Sequence, residues 1–319
     1  MRFLALFIFS LFCLKTQAQN LYSFNNYNYM RGVYNPASIG TDAKIQADFV
    51  YTNQWSKIDG APQTLAFSGS YDIDEDMAVG LNFYHDQIGL YKAISFQGQY
   101  AYRFLVRERQ YFALGLGLGG NNISWNLSEA RLTDVGDPTF STSYNKFTFN
   151  ASFGLFYRTP RFYVGASIPQ LLSTSLNGSE QGFKLKRLET YVTIGHHFPI
   201  GEKFLLNPSA QFKIQANTPL QGEIQIRNLI SYIVGVTVGY RTSNALVFGI
   251  DGMIAKKVRI GYMANYGVGQ LANTRGFSHE VYLGLGFPYY FNKNYTKIIN
   301  RKGGFGRMYK KKARHMHYR

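Results

Sequence analysis

Apolar and polar positions alternate along much of this chain. In Ser231–Arg241, Tyr232, Val234, Val236, Val238 and Tyr240 fall on one side, and Ser231, Gly235, Thr237, Gly239 and Arg241 on the other. A period of two predicts a β-strand with one apolar and one small or polar face. Lys146–Arg158 repeats the device: Phe147, Phe149, Ala151, Phe153, Leu155 and Tyr157 stand opposite Thr148, Asn150, Ser152, Gly154 and Arg158, and Phe156 breaks the rule. In Leu114–Asn121 leucine alternates with glycine and no helical pattern follows, so the run reads as a strand with a glycine face rather than a phosphate-binding loop. Room for a plug or a passing segment, or a simple packing or curvature role, would each explain such a face.

Alternation alone fits a soluble sandwich as well as a membrane barrel. Aromatic residues gather toward the strand ends, the apolar faces are long, and the opposite faces are rich in Gly, Ser and Gln, as around a wet lumen. The connections also alternate. Short links at Asp72–Met77, Val106–Gln110, Arg158–Arg161, Pro199–Lys203 and Ile254–Lys257 interleave with longer ones at Asn126–Asn145, Leu171–Gly182 and Val268–Gly276. Short turns inside and longer loops outside are the habit of bacterial outer-membrane barrels; Arg241–Asn244, a tight link on the predicted outer side, departs from it. The pattern predicts an all-β protein: a single transmembrane antiparallel β-barrel of about fourteen strands, an even number that returns the chain to its starting side. Closure is required because an open edge in lipid would strand backbone N–H and C=O groups.

Composition agrees. Aromatics make up 17% of the 319 residues, charged residues 16%, and there are 32 glycines, whereas ordinary soluble domains are about a quarter charged. The first residues combine Arg2, an apolar stretch and Thr16-Gln17-Ala18, the pattern of a secretory signal peptide cut before Gln19. Its removal would take the sole cysteine, Cys13, with it. No later stretch approaches the roughly 18 apolar residues of a spanning helix. The chain therefore divides into a signal peptide (1–18), a periplasmic or lumen-entering segment (19–42), the barrel (43–291) and a basic tail (292–319).

Two motifs contain strong turn chemistry. In Tyr34–Gly40, Pro36 fixes its own φ and biases Asn35 away from helix, while Gly40 permits a positive φ; in Asn53–Thr64, Gly60 and Pro62 do the same around Ala61. Trp55 suits a membrane interface or a packed loop. Asn35-Pro36-Ala37 with Gly40, Gln54-Trp55 with Gly60-Ala61-Pro62 and Thr64, His85–Gly89, Arg161–Leu171, Leu206–Lys213 and Ser278–Phe287 follow in an order and spacing that resembles the PorP/SprF family, outer-membrane proteins of the type IX secretion system of Bacteroidetes. The resemblance implies a barrel without catalytic chemistry or cofactor that assists export or surface retention of adhesin-like cargo bearing a C-terminal signal domain. It also implies partners in the secretion or gliding apparatus. Loops such as Lys57–Gln63 and Asn126–Asn145 are the expected cargo contacts. A different class, a diffusion channel or hydrophobic-solute transporter, shares the same strand chemistry.

The adjacent His279 and Glu280 might suggest catalysis or a metal. A strand sends neighbours to opposite faces, so the pair cannot share a ligand: Glu280 joins Ser278, Tyr282 and Gly284 on the lumen side, and His279 joins Val281, Leu283 and Leu285 on the lipid side. His196 and His197 diverge for the same reason. Asp48, Glu189, Glu223, Arg227, Asp251 and Arg259 fall on lumen faces, where pairing across the barrel is expected.

The tail from Asn292 carries ten Lys and Arg residues and no acid, much of the net +16. In the periplasm its partners would be acidic proteins, anionic lipid or cell-wall polymers rather than nucleic acid. Arg307, Tyr309, Lys310, Lys311, Lys312 and Arg314 form its candidate docking segment; a solvated, disordered tail is the competing reading.

Overall fold

A computed structural model describes residues 24–288, apart from 75, 108–109, 127–143, 175–180, 183–187, 255–256 and 269–275. The expected signal peptide, the outer loop 127–143, Tyr289–Phe291 and the basic tail with Arg307, Tyr309, Lys310, Lys311, Lys312 and Arg314 lie outside the described residues.

Fourteen antiparallel strands close into one barrel: β1 (Ala43–Asn53), β2 (Gln63–Asp72), β3 (Met77–Ile88), β4 (Tyr91–Arg107), β5 (Gln110–Trp125), β6 (Tyr144–Arg158), β7 (Phe162–Ile168), β8 (Thr190–His196, continued by Phe198–Ile200 beyond a break at His197), β9 (Phe204–Ile214), β10 (Gln221–Ile230), β11 (Val234–Arg241), β12 (Ala245–Ile254), β13 (Val258–Gly267) and β14 (Phe277–Pro288). Every strand pairs with its sequence neighbours, and β1 closes the ring against β14 with Phe49 opposite Leu283 and Thr52 opposite Glu280. A closed ring leaves no edge to be satisfied by lipid. Before β1, residues 24–42 fold into a short helix α1 (Arg31–Tyr34) and a 3-10 turn (Pro36–Ser38).

The two faces of each strand sort as the alternation predicts. Val234, Val236, Val238 and Tyr240 of β11 are exposed to the lipid side, while Thr237 is buried in the lumen. Aromatic pairs mark both ends of the wall, Tyr102 with Phe104 at the inner end and Tyr266 with Phe277 at the outer end, each with ring centroids 4.8 Å apart. Such belts place amphipathic rings at the two membrane interfaces.

Two local expectations need correction. The strand predicted from Ser231 begins at Val234: Ser231 and Tyr232 both take positive φ (50° and 60°) in a tight inner turn that sets Ile230 opposite Val234. Pairing of β10 with β11 overrides the local alternation there, because two positive-φ residues give a turn the twist that antiparallel strands need. On the outer side Arg241–Asn244 is joined by a second tight link, Gly89-Leu90 between β3 and β4, with Gly89 at φ 56°.

Candidate functional site

Residues 24–42 occupy the lumen. Backbone groups inside a barrel must find partners in the wall, and these do so on every side. The N–H groups of Asn25 and Asn26 donate to Glu280 Oε2 and Oε1 at 2.7 and 2.8 Å. Gln225 Nε2 donates to Asn25 O at 2.7 Å, Ser167 Oγ to Tyr34 O at 2.8 Å, and Asn82 Nδ2 and Gln99 Nε2 to Gly32 O at 3.0 and 2.8 Å. Tyr27 and Asn28 reach Ser209, Gly40 O accepts from Arg103, and the Tyr34 ring packs on Tyr191. With the contacts described below, all fourteen strands touch the segment. Phe24, Tyr27, Met30, Val33 and Tyr34 form an apolar core with Val50, Ala66, Tyr84, Tyr191 and Tyr282 of the wall. Burial pushes the phenols of Tyr27 and Tyr34 well above their ordinary pKa.

Of the glycine face of β5, Gly115 meets the plug, whereas Gly117 and Gly119 lie against Gln97, Ser152 and Phe96 of the wall. Asn35 caps the 3-10 turn by accepting from Ala37 N at 2.9 Å, Pro36 supplies its first position, and Asn35 Nδ2 donates to Leu155 O at 2.9 Å. A Cβ on Gly115 would lie 2.1 Å from Ala37 N, one on Gly154 2.0 Å from Asn35 Oδ1, and one on Gly165 2.7 Å from Asn35 Nδ2. Three glycines on β5, β6 and β7 thus form the recess that receives Asn35-Pro36-Ala37. Phe156, which interrupts the alternation of β6, faces the lumen and packs with Ala37, Ala113 and Tyr163. Gly40 closes the motif: it has φ +68°, and a Cβ there would meet Asp72 Oδ1 at 1.8 Å. Gly154→Leu should therefore displace the Asn35–Ala37 turn, costing roughly 1–3 kcal/mol. Limited proteolysis checks it, with cleavage inside residues 24–42 appearing in the variant but not in the parent.

Most charges around the plug are paired, whereas Asp48 and Glu280 accept from neutral donors. Arg227 grips Asp251 through Nε and Nη2 at 2.8 and 2.6 Å, and Arg259 lies 3.8 Å from the same carboxylate and bonds the Tyr29 hydroxyl. The Tyr29 ring stacks on Tyr282 at 4.9 Å, with the Arg259 and Arg227 guanidinium carbons 4.5 and 5.3 Å from its centroid. Asp42 bridges Arg31 and Arg158, Arg241 pairs with Glu223, Lys213 with Glu189, and Arg103 with Asp72. Asp48 accepts from Tyr282 and Gln46.

At the outer rim the remaining motif residues brace one loop. Gln54 N donates to Pro62 O at 2.9 Å, Ala61 N to Ile58 O at 3.2 Å, and Gly60, at φ +71°, accepts at O from Gly89 N at 2.9 Å. Thr64 donates to Asp86 at 2.5 Å. Trp55 takes φ 51°, held by Ser278 Oγ on its N–H at 3.2 Å and by Ile58 N on its carbonyl at 2.9 Å. A bulky residue in this region costs on the order of 1–3 kcal/mol and persists where its surroundings over-determine it. His279 is half-buried on the outer wall, bonded to the Tyr262 hydroxyl at 2.6 Å, on the face opposite Glu280. Among the described residues no group of three or more His, Cys, Asp or Glu is placed to hold a metal.

The model of the family described as "Type IX secretion system membrane protein PorP/SprF" matches residues 16–285. The chain belongs to the PorP/SprF family. It is thus an integral outer-membrane β-barrel of a type IX secretion family. Among solved structures, the CymD monoaromatic hydrocarbon channel is similar at 11% identity and TM-score 0.52, over 85% of this chain and 95% of that one. Omp33 of Acinetobacter baumannii is similar at 10% identity and TM-score 0.45, over 78% and 100%. The CymD likeness concerns the barrel fold alone. No curated protein matches the chain.

Sequence reasoning placed Glu280 in the lumen without its ligand, the plug backbone, and it separated Asn35-Pro36-Ala37 from the glycines that receive it. The signals were present in Gly115, Gly154, Gly165 and Phe156. What joins them is the closure of β5–β7 around residues over a hundred positions upstream of Phe156.

Proposed function

We propose that this PorP/SprF protein holds a type IX cargo protein, adhesin-like, at the cell surface by binding the cargo's C-terminal signal domain on its outer side. The observation that carries the reading is the plug: a segment tied to all fourteen strands favours a binding barrel over an open conduit. The braced Gln54–Pro62 loop supplies an ordered outer surface next to Ser278. A diffusion channel would require part of the segment to move aside. The basic tail, with Arg307, Tyr309, Lys310, Lys311, Lys312 and Arg314, is proposed to dock on an acidic periplasmic partner of the secretion or gliding apparatus.

In cells lacking the protein, immunofluorescence of intact cells and blotting of the medium should show cargo released or retained inside. Unchanged surface display rules the reading out. Complementation by a chain ending after Phe291 should restore a barrel that loses periplasmic partners on affinity purification, and full recovery of those partners would refute the tail assignment.

A further inference from the structure

Above the plug lies a vestibule of about 370 Å3, floored by Tyr34 and Tyr191 and walled by Gln54, Gln221, Arg241 and Ser243 among others. We propose that this vestibule is a dead-end cup that binds a short segment of polypeptide presented from outside the cell. The partner is the secreted protein of the preceding section, so the inference rests on that reading and extends it into the barrel.

The size lies within the roughly 300–1,000 Å3 of ligand pockets. The floor is set by the plug. Tyr34 is anchored through its carbonyl to Ser167 and through its hydroxyl to Phe24 N, so a ligand entering from the outer end stops there. The walls carry unspent hydrogen-bonding groups of the right kind. The side-chain amides of Gln54 and Gln221 and the hydroxyl of Ser243 have no partner among the described residues. A primary amide offers both a donor and an acceptor, the complement of a peptide bond. Arg241 spends Nε and Nη2 on Glu223 and Asn25, which leaves Nη1 for a carbonyl or carboxylate of the incoming segment. Glu223 and Glu189 offset Arg241 and Lys213, so the cup is close to neutral and selects for no strongly charged segment. At the rim, Trp55 is held in its left-handed conformation and is one of the lining residues; exposed, fixed aromatics are common anchors in protein interfaces.

Filling the cup tests this without disturbing the barrel. A Cβ on Gly267, in the vestibule wall, meets nothing within 4 Å, and the same holds for Gly252, whose cross-strand partners Val234 and Ile260 are both exposed on the lipid side. Full-length protein and its Gly267→Trp, Ser243→Trp and Gly252→Trp variants, each confirmed as barrels by heat-modifiable gel mobility, are titrated with the signal domain of the cargo that co-purifies from native membranes. Gly267→Trp and Ser243→Trp should weaken binding roughly tenfold or more, and Gly252→Trp should bind as the parent does. A photo-crosslinker at position 243 should form an adduct with a peptide of the cargo. Parental binding by both vestibule variants overturns the proposal while leaving the surface-display reading intact. An adduct to residues preceding Phe24, or to a glycan, overturns it as well. Loss of binding by the parent itself sinks the parent reading and this one together.

Discussion

Removing residues 24–42 while keeping residues 1–23 should convert a barrel that is closed in planar bilayers into one with a steady conductance at least roughly tenfold above that of the full chain. The reasoning is geometric. The lumen narrows where Tyr27, Met30 and Tyr34 pack against Val50, Tyr84, Tyr191 and Tyr282, and each of those contacts has its other half in the plug. Without the segment, the wall that remains is lined by Gly115, Gly117, Gly154 and Gly165, which add no bulk, and by Arg158, Glu280 and Gln225, which take up water. The shell itself should survive, because all strand pairing is independent of the segment. Equal conductance of the two proteins would show that residues 24–42 do not close the lumen in a bilayer, and the functional reading would lose its main support.

A second large effect is expected at the inner half of the lumen. Asp251→Ala should destabilise the barrel by roughly 3–5 kcal/mol, read as a lowered urea midpoint for unfolding from liposomes. Asp251 is the shared acceptor for Arg227 and Arg259, and it also accepts from Tyr29 of the plug at 3.4 Å. Deleting it leaves two buried guanidinium groups facing one another across the Tyr29 ring. The double variant Asp251→Ala with Arg227→Met should recover part of the loss, since it removes a charge along with its partner. A loss below about 1 kcal/mol would mean that the cluster is wet enough to behave as an exposed salt bridge.

Much of the wall is legible in the sequence. The face assignments of β11 and β14 followed from period-two alternation, and the adjacency of His279 and Glu280 dissolved for the same reason. Inner turns such as Arg158–Arg161 were visible through their Pro and charged residues. The turn at Ser231-Tyr232 was not, because neither residue type favours positive φ and the cross-strand register decides their conformation. Gly89-Leu90 entered only through the His85–Gly89 motif and was not read as a turn. Phe156 was noticed as an irregularity, but no local rule could say that its ring packs with Ala37 of an N-terminal segment.

The difference has one physical origin. Alternation, turn chemistry and composition are properties of neighbours in sequence, and they sufficed for an all-β outer-membrane barrel with a polar lumen, for an approximate strand count and for the divergence of His279 and Glu280 onto opposite faces. Whether that lumen is filled, and by what, depends on contacts such as Asn35 with Leu155 and Asn25 with Glu280, separated by 120 and 255 positions. Those contacts come into being only when the ring closes and sets a glycine recess, a carboxylate and paired arginines around one segment. The tertiary structure therefore decided that residues 24–42 fill the lumen, because only ring closure brings those distant partners within hydrogen-bonding reach.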